Sequence, residues 1–144
     1  MFDLSNKIAI ITGASQGIGR TMALVFAESG ANVICVARSE SKIKELCLDI
    51  TDRGGVAHAI ACDVGDGDAF GNTIKSVTDE HGKLDILINN AGITRDALLM
   101  RMNDAQWDDV IQTNLKGAFH GMRSAIRPMM KNKAKKVVHR KDPK

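Results

Sequence analysis

"TGASQGIG", Thr12 to Gly19, sets three glycines in eight residues between a short apolar run and a helical pattern. Before it, "KIAIIT" (Lys7 to Thr12) has the unbroken apolar character of a buried strand. After it, "IGRTMALVFAESG" (Ile18 to Gly30) reads as a helix stopped by Gly30. Gly13 suits a tight turn off the strand, Gly17 lets backbone approach a ligand with no Cβ between, and Gly19 lets the helix pack closely on the sheet. Free N–H groups at the positive helix start then face an anion, most naturally a pyrophosphate. A glycine triplet alone also fits a merely structural turn, so the surrounding pattern has to decide.

That pattern repeats. "NVICVA" (Asn32 to Ala37) is a second strand, with a helix from about Ser41 to Arg53 stopped by Gly54 and Gly55. "VAHAIACD" (Val56 to Asp63) is a third strand, Asp68 to Gly82 a third helix, and "LDILINN" (Leu84 to Asn90) a fourth strand. Alternating strands and helices predict right-handed βαβ units: an α/β, Rossmann-type, doubly wound parallel sheet with ligands outside the carboxyl ends of its strands. The glycines at the first strand-to-helix turn then favour a nucleotide over a structural turn. Further on, Asn103 and Gln106 form a helix-starting box, and an amphipathic helix is expected to run to Met130. Its apolar face reads Trp107, Val110, Ile111, Leu115, Phe119, Met122, Ile126, Met130, with Pro128 weakening or bending the last turns. Lys136 to His139 is a candidate for the start of a fifth strand. The expected organisation is a Rossmann domain over 1–130, incomplete after this long helix or the start of strand five, and a basic tail over 131–144.

Charge separates the same two regions. The chain of 144 residues carries +3, yet 1–130 hold 13 Lys and Arg against 16 Asp and Glu, so the tail supplies the whole positive balance. A nucleic-acid reader spreads its cations along a face with aromatics between them. Here they crowd one end, beyond the last aromatic, Phe119, and no nucleic-acid partner is expected. Cys35, Cys47 and Cys62 show no CxxC or metal-type spacing; they read as small buried hydrophobes, no metal site is expected, and a reducing, cytoplasmic setting follows. Asp3 and the short apolar run after Asn6 argue against a secretory signal, and no run reaches membrane-spanning length.

Thr12, Gly13, Gly17 and Gly19, with Asn89, Asn90, Ala91 and Gly92 downstream, resemble the short-chain dehydrogenases/reductases, whose TGxxxGxG spacing differs from that of other dinucleotide folds. The stretch "NNAGITRDALLMRM" (Asn89 to Met102) is similar to the 3-oxoacyl-[acyl-carrier-protein] reductases of fatty-acid synthesis. The likeness runs from about Lys7 to Lys133. It implies that Thr12, Gly13, Ser15, Gln16, Gly17, Ile18 and Gly19 form the cofactor's phosphate turn.

Cofactor choice follows from charge. Arg38, nineteen residues after Gly19, stands where a carboxylate would bind the ribose hydroxyl of NAD; a guanidinium suits a 2′-phosphate, and Ser39 adds a hydroxyl donor. NADP(H) is therefore favoured over NAD(H), although Arg38 also fits an ordinary exposed cation partly offset by Glu40. The resemblance implies that Asp63 accepts a hydrogen bond from the adenine amino group with Val64 beside the ring, where an Asp alone is more often a cap or turn former. It implies too that Asn89, Asn90, Ala91 and Gly92 line the cofactor ribose, against an amide network holding neighbouring strands. Helical counting puts Asn114 on the apolar face of the long helix, so its amide should have partners. The likeness implies a supporting role for it, holding a water in the proton relay; a structural Asn that bends the helix is the alternative.

In that family a Tyr supplies the proton, its acidity raised by a Lys four residues on, and a Ser orients the carbonyl. The chain contains no Tyr. "HRKD" (His139 to Asp142) stands where the family places "NISS", Ser124 is too early, and Lys133, Lys135 and Lys136 have no phenol to act on. The expected function is NADPH-dependent reduction of 3-oxoacyl thioesters on acyl carrier protein, in a chain lacking the Ser/Tyr/Lys part and inactive as it stands. The alternative is a non-catalytic NADP(H)-binding module pairing with another subunit. One flank of the sheet is expected to lie open, with Ile126, Met129 and Met130 available to a second chain, so a homo-oligomer is expected; Arg127, Lys131 and Lys133 are candidates to meet an acidic carrier.

Overall fold

The computed structural model describes residues 2–132. The basic segment 133–144, with the strand start read at Lys136 to His139, lies outside the described residues. Four strands and their helices follow in order: β1 (Ile8–Thr12), α1 (Gly17–Glu28), β2 (Asn32–Ala37), α2 (Glu40–Asp52), β3 (Val56–Ala61), α3 (Gly67–His81) and β4 (Ile86–Ile88). After a single 3₁₀ turn at Leu99–Arg101 come α4 (Asp104–Val110), a π-helical stretch at Ile111–Lys116, and α5 (Gly117–Met130). The four-stranded sheet has the order β3-β2-β1-β4, and each pairing is parallel.

Period-two alternation sorts each central strand between two helix layers. Ala9 and Ile11 of β1, with Val33, Cys35 and Ala37 of β2, pack with Ala23 and Ala27 of α1 and Ile43, Leu46 and Ile50 of α2. Ile8 and Ile10, with Ile34 and Val36, face Phe70, Ile74 and Val77 of α3 and Ala125 of α5. Burial on both faces explains why β1 and β2 read as continuous apolar runs. The βαβ order and the parallel sheet follow the expectation. β4 is shorter than expected, so Asn89 and Asn90 lie past its end.

Asp85 fixes how β4 joins the sheet. Its Oδ2 accepts from the Ile8 N–H at 2.9 Å and sits 3.0 Å from Lys83 Nζ, while Oδ1 lies 3.5 Å from Lys7 Nζ. Burial works to raise its pKa, but the Ile8 N–H and the two ammonium groups outweigh that and hold the carboxyl below its ordinary value.

The apolar face of the C-terminal helical region points outward: Trp107, Leu115, Phe119, Met122, Ile126 and Met130 are all exposed. Gly117, Gly121 and Ala125 are the buried positions of α5, one every four residues. A Cβ at Gly117 would stand 2.7 Å from Val64 Cγ2, and one at Gly121 2.6 Å from Asn89 Oδ1 and 2.8 Å from Phe70 Cε1. The backbone therefore approaches the sheet and α3 too closely for large side chains, and only small residues fit the seam. The helical run also contains the π turn, and Pro128 is accommodated in the last turn of α5.

Candidate functional site

A groove of about 520 Å³ opens at the carboxyl ends of β1, β2, β3 and β4, a size suited to a small-molecule or cofactor site. Twelve residues proposed from the sequence line it: Gly13, Ser15, Gln16, Gly17, Ile18, Arg38, Ser39, Asp63, Val64, Asn90, Ala91 and Gly92. They come from four separate turns, brought together because parallel strands end on the same side.

Thr12 and Gly19 are not on the groove wall; they build it. Thr12 is buried, and its Oγ1 donates to the Ile88 carbonyl at 3.1 Å while accepting from the Asn90 and Ala91 N–H groups at 3.0 Å each. The Asn90 amide donates to the carbonyls of Thr12, at 3.0 Å, and Gly13, at 3.3 Å. One hydroxyl and one amide thus lock the turn after β1 to the turn after β4. Gly19 is packed beneath them: a Cβ there would collide with the Gly13 carbonyl oxygen and stand 2.5 Å from Asn90 Nδ2. The amide network weighed for Asn90 is therefore present, and the same residue lines the groove.

Gly17 is different. Its φ is +56°, in the left-handed region that favours glycine, and nothing in the protein lies within 4 Å of where its Cβ would be. Gly17 itself lines the groove. The helix behind it has no side-chain cap at Gln16, nor has α2 at Ser39. α3 and α4, by contrast, are capped, by Asp66 and by an Asn103–Gln106 capping box. α1 and α2, the two helices that start at the groove, thus both lack side-chain caps, leaving N–H groups and the positive ends of two helix dipoles to meet negative charge there.

The side chains around the α2 end reinforce this. Arg38 is exposed on the groove wall, and Glu40, read as partly offsetting it, has its Oε1 2.6 Å from Lys44 Nζ, whose ammonium lowers its pKa. Arg20, the other cation near the glycine turn, is held by Asp49 at 3.0 Å. Lys42, not singled out from the sequence, also lines the groove, its Nζ 3.4 Å from Gln16 Oε1. Its signal was available as a cation four residues after Arg38 on the first turn of a helix. Val36, Ala37, Cys62, Ile93 and Thr113 complete the wall, apolar apart from the Cys62 thiol and the Thr113 hydroxyl.

Asp63 does form a turn: its Oδ1 accepts from the Gly65 N–H at 2.9 Å. It stands exposed on the groove wall with Val64 buried beside it. Asn114 is exposed, not buried as expected, in keeping with the outward-facing Leu115 beside it. It has both partners nonetheless: Oδ1 accepts from the Ile93 N–H at 2.9 Å and Nδ2 donates to the Ile93 carbonyl at 3.0 Å. It clamps the loop after β4 to the helix without reaching the groove wall. Among the described residues, no group of three or more His, Cys, Asp or Glu is placed to hold a metal ion, and no helix is long and apolar enough to cross a membrane.

The family described as short chain dehydrogenase matches residues 7–139. The chain belongs to that family. It is 45% identical over 134 residues to the 3-oxoacyl-[acyl-carrier-protein] reductase FabG of Staphylococcus aureus, covering 92% of this chain and 54% of the relative. It is 42% identical over 137 residues to FabG of Vibrio harveyi, covering 95% of this chain and 55% of that one. Among solved structures, a metagenomic short-chain oxidoreductase in complex with NADP superimposes with TM-score 0.85 at 35% identity, over 88% of this chain and 57% of the other. A short-chain type dehydrogenase/reductase from Mycobacterium marinum gives TM-score 0.85 at 38% identity, over 89% of this chain and 52% of the other. The chain thus spans about half the length of the curated relatives it matches, and its fold and oxidoreductase family are those of their N-terminal half.

Proposed function

We propose that the groove binds NADP(H) and that the protein serves NADPH-dependent reduction of 3-oxoacyl thioesters on acyl carrier protein. The observation that carries the cofactor reading is the convergence of two uncapped helix starts, an open Gly17 and the Arg38–Lys42 cations on one groove. The N–H groups of Ser15 to Ile18 would hold the pyrophosphate. Arg38, Ser39 and Lys42 would hold a 2′-phosphate, Asp63 and Val64 the adenine, and Asn90, Ala91 and Gly92 the ribose. The fit rests on the space at Gly17, where backbone can approach an anion with no side chain between. The cofactor supplies the hydride; these residues bind and orient it, and Thr12 and Gly19 keep the wall in shape. Asn114 is a positioning residue, holding Ile93 and with it the floor after Gly92.

The 3-oxoacyl thioester reading is supported by the FabG relatives, and from it follow an acyl carrier partner near Arg127 and Lys131 and a cytoplasmic setting. Self-pairing is supported by the outward apolar stripe of α4 and α5, which runs from an acidic end (Asp104, Asp108) to a basic one (Arg123, Arg127, Lys131). Two copies laid antiparallel bring opposite charges together while covering Leu115, Phe119, Met122 and Ile126.

A second reading is a non-catalytic NADP(H)-binding module that pairs with another subunit; the 144 residues include no tyrosine. The two readings share the cofactor site and divide over chemistry. Fluorescence titration should show tighter binding of NADPH than NADH, with Arg38→Ala weakening NADPH about tenfold, as expected for one charge-assisted contact at an exposed site. Equal response to both cofactors with Arg38 intact would remove the phosphate argument. Turnover of an acetoacetyl thioester by this chain should be undetectable; measurable turnover would show that the proton has a source other than tyrosine.

A further inference from the structure

Two of the chain's four histidines meet where the edge of the sheet passes the end of α3. His58 is the third residue of β3, the strand at one edge of the sheet, in register with Ile34 of β2. Alternation puts it on the same face as Ile60, which packs into the layer that α3 covers. His81 is the last residue of α3, and Gly82 ends the helix there at φ +71°. The two ring centroids stand 5.7 Å apart, with the planes tilted by 52°. On the last turns of α3 the Thr78 hydroxyl donates to the Ile74 carbonyl and Lys75 pairs with Asp79, and neither contact takes up an imidazole nitrogen. Because α3 runs back from the carboxyl end of β3 toward the start of β4, its end and His81 lie away from the groove. His120 has no part in the pair, since its ring lies over Gly67 at the opposite end of α3.

We propose that His58 and His81 together bind one divalent cation of the zinc or copper class, tying the edge strand to the end of α3. Imidazole nitrogens suit both metals and hold zinc at about 2.0–2.1 Å. A ring nitrogen lies about 1.1 Å from its own centroid, so ligand angles of about 110–120° at a shared cation put the two centroids about 5.2–5.5 Å apart. The observed 5.7 Å is within a small side-chain rotation of that spacing, and a tilted pair, unlike a face-to-face stack, can turn two ring edges toward one point. The helix end favours the same ion: the last carbonyls of α3 carry the negative end of its dipole, beside His81. Both ligands stand on firm elements, His58 in a strand paired with β2 from end to end and His81 one turn beyond the buried Val77. Two protein ligands leave the remaining positions to water, and the exposed His58 gives the cation its way in. The inference does not depend on what the groove binds.

The test is a zinc chloride titration of the untagged full chain, kept reduced with a phosphine and read by NMR of the histidine ring protons and by calorimetry. The His58 and His81 rings should shift together and saturate at one zinc per chain, with the His120 ring unmoved. His58→Gln and His81→Gln should each weaken binding by at least about tenfold, since losing even the hydrogen-bond partner of a metal ligand costs that much. Both side chains reach solvent, so circular dichroism should show the variants folded. His58 and His81 rings unmoved at excess zinc, shifts centred on other histidines or on the cysteines, or an affinity unchanged in either variant would overturn the proposal, and the first two outcomes need no variant to fold.

Discussion

Gly17→Ala separates the role of the glycine turn in binding from its role in folding. At φ +56° a Cβ is strained, and because no protein atom lies within 4 Å of it, strain is the main folding penalty. A left-handed non-glycine residue costs about 1–2 kcal/mol, and the smaller unfolded-state entropy of Ala returns about 0.4–1 kcal/mol. The net loss of about 1 kcal/mol should lower Tm by roughly 3–5 °C for a chain of this size. The same methyl is carried by a residue lining the groove, where it separates a phosphate from the helix-start amides. Losing one charge-assisted hydrogen bond, about 1.5–3 kcal/mol, weakens binding about 10- to 150-fold. Thermal unfolding and NADPH fluorescence titration on the same sample read the two effects. Gly19→Ala is the contrast, since its Cβ meets the Gly13 carbonyl and Asn90 Nδ2 and it should damage folding first. An NADPH Kd unchanged in folded Gly17→Ala would refute the assignment of this turn to phosphate.

Three further outcomes follow from the packing. Asp85 has a depressed folded pKa, so its contribution to stability is fully present above the ordinary carboxylate value of about 3.9 and is lost as pH falls through the lower folded value. Denaturant titrations should show Asp85→Ala about 1–3 kcal/mol less stable at pH 7, from the stranded Ile8 N–H, with the deficit shrinking below pH about 3.9; a constant deficit would contradict the linkage. Gly121→Ala should lose about 1–3 kcal/mol by overpacking against Asn89 and Phe70, and a stable variant would mean the α5 seam is not tight. Ile126→Glu together with Phe119→Asp should turn a dimer into a monomer in light scattering without loss of helical signal, whereas an unchanged mass would remove the outer stripe as the pairing surface.

The strand and helix order was legible because burial on both sheet faces leaves unbroken apolar runs and glycines mark the turns. The groove was legible for a related reason, since Gly13, Gly17, Arg38 and Asp63 all sit at strand ends and parallel strands bring those ends together. The inner face of α5 was not. Hydrophobic periodicity finds large apolar side chains, and here the inner face is Gly117, Gly121 and Ala125, whose value is their small size. The exposure of Asn114 was missed for the same reason, since it was taken to be buried with apolar residues that in fact face outward. Thr12 reads as a motif residue, but its use as a three-way hydrogen-bond pin needs coordinates.

An NADPH titration followed by amide NMR on the isotope-labelled chain tests the cofactor site most directly. Saturable shifts should concentrate at Ser15 to Gly19, Arg38 to Lys42, Asp63 to Val64 and Asn90 to Gly92, with NADH leaving the Arg38 to Lys42 group much less affected. Shifts absent at saturating NADPH, or centred on the smaller cleft between Leu24, Ile50 and Arg53, would contradict it.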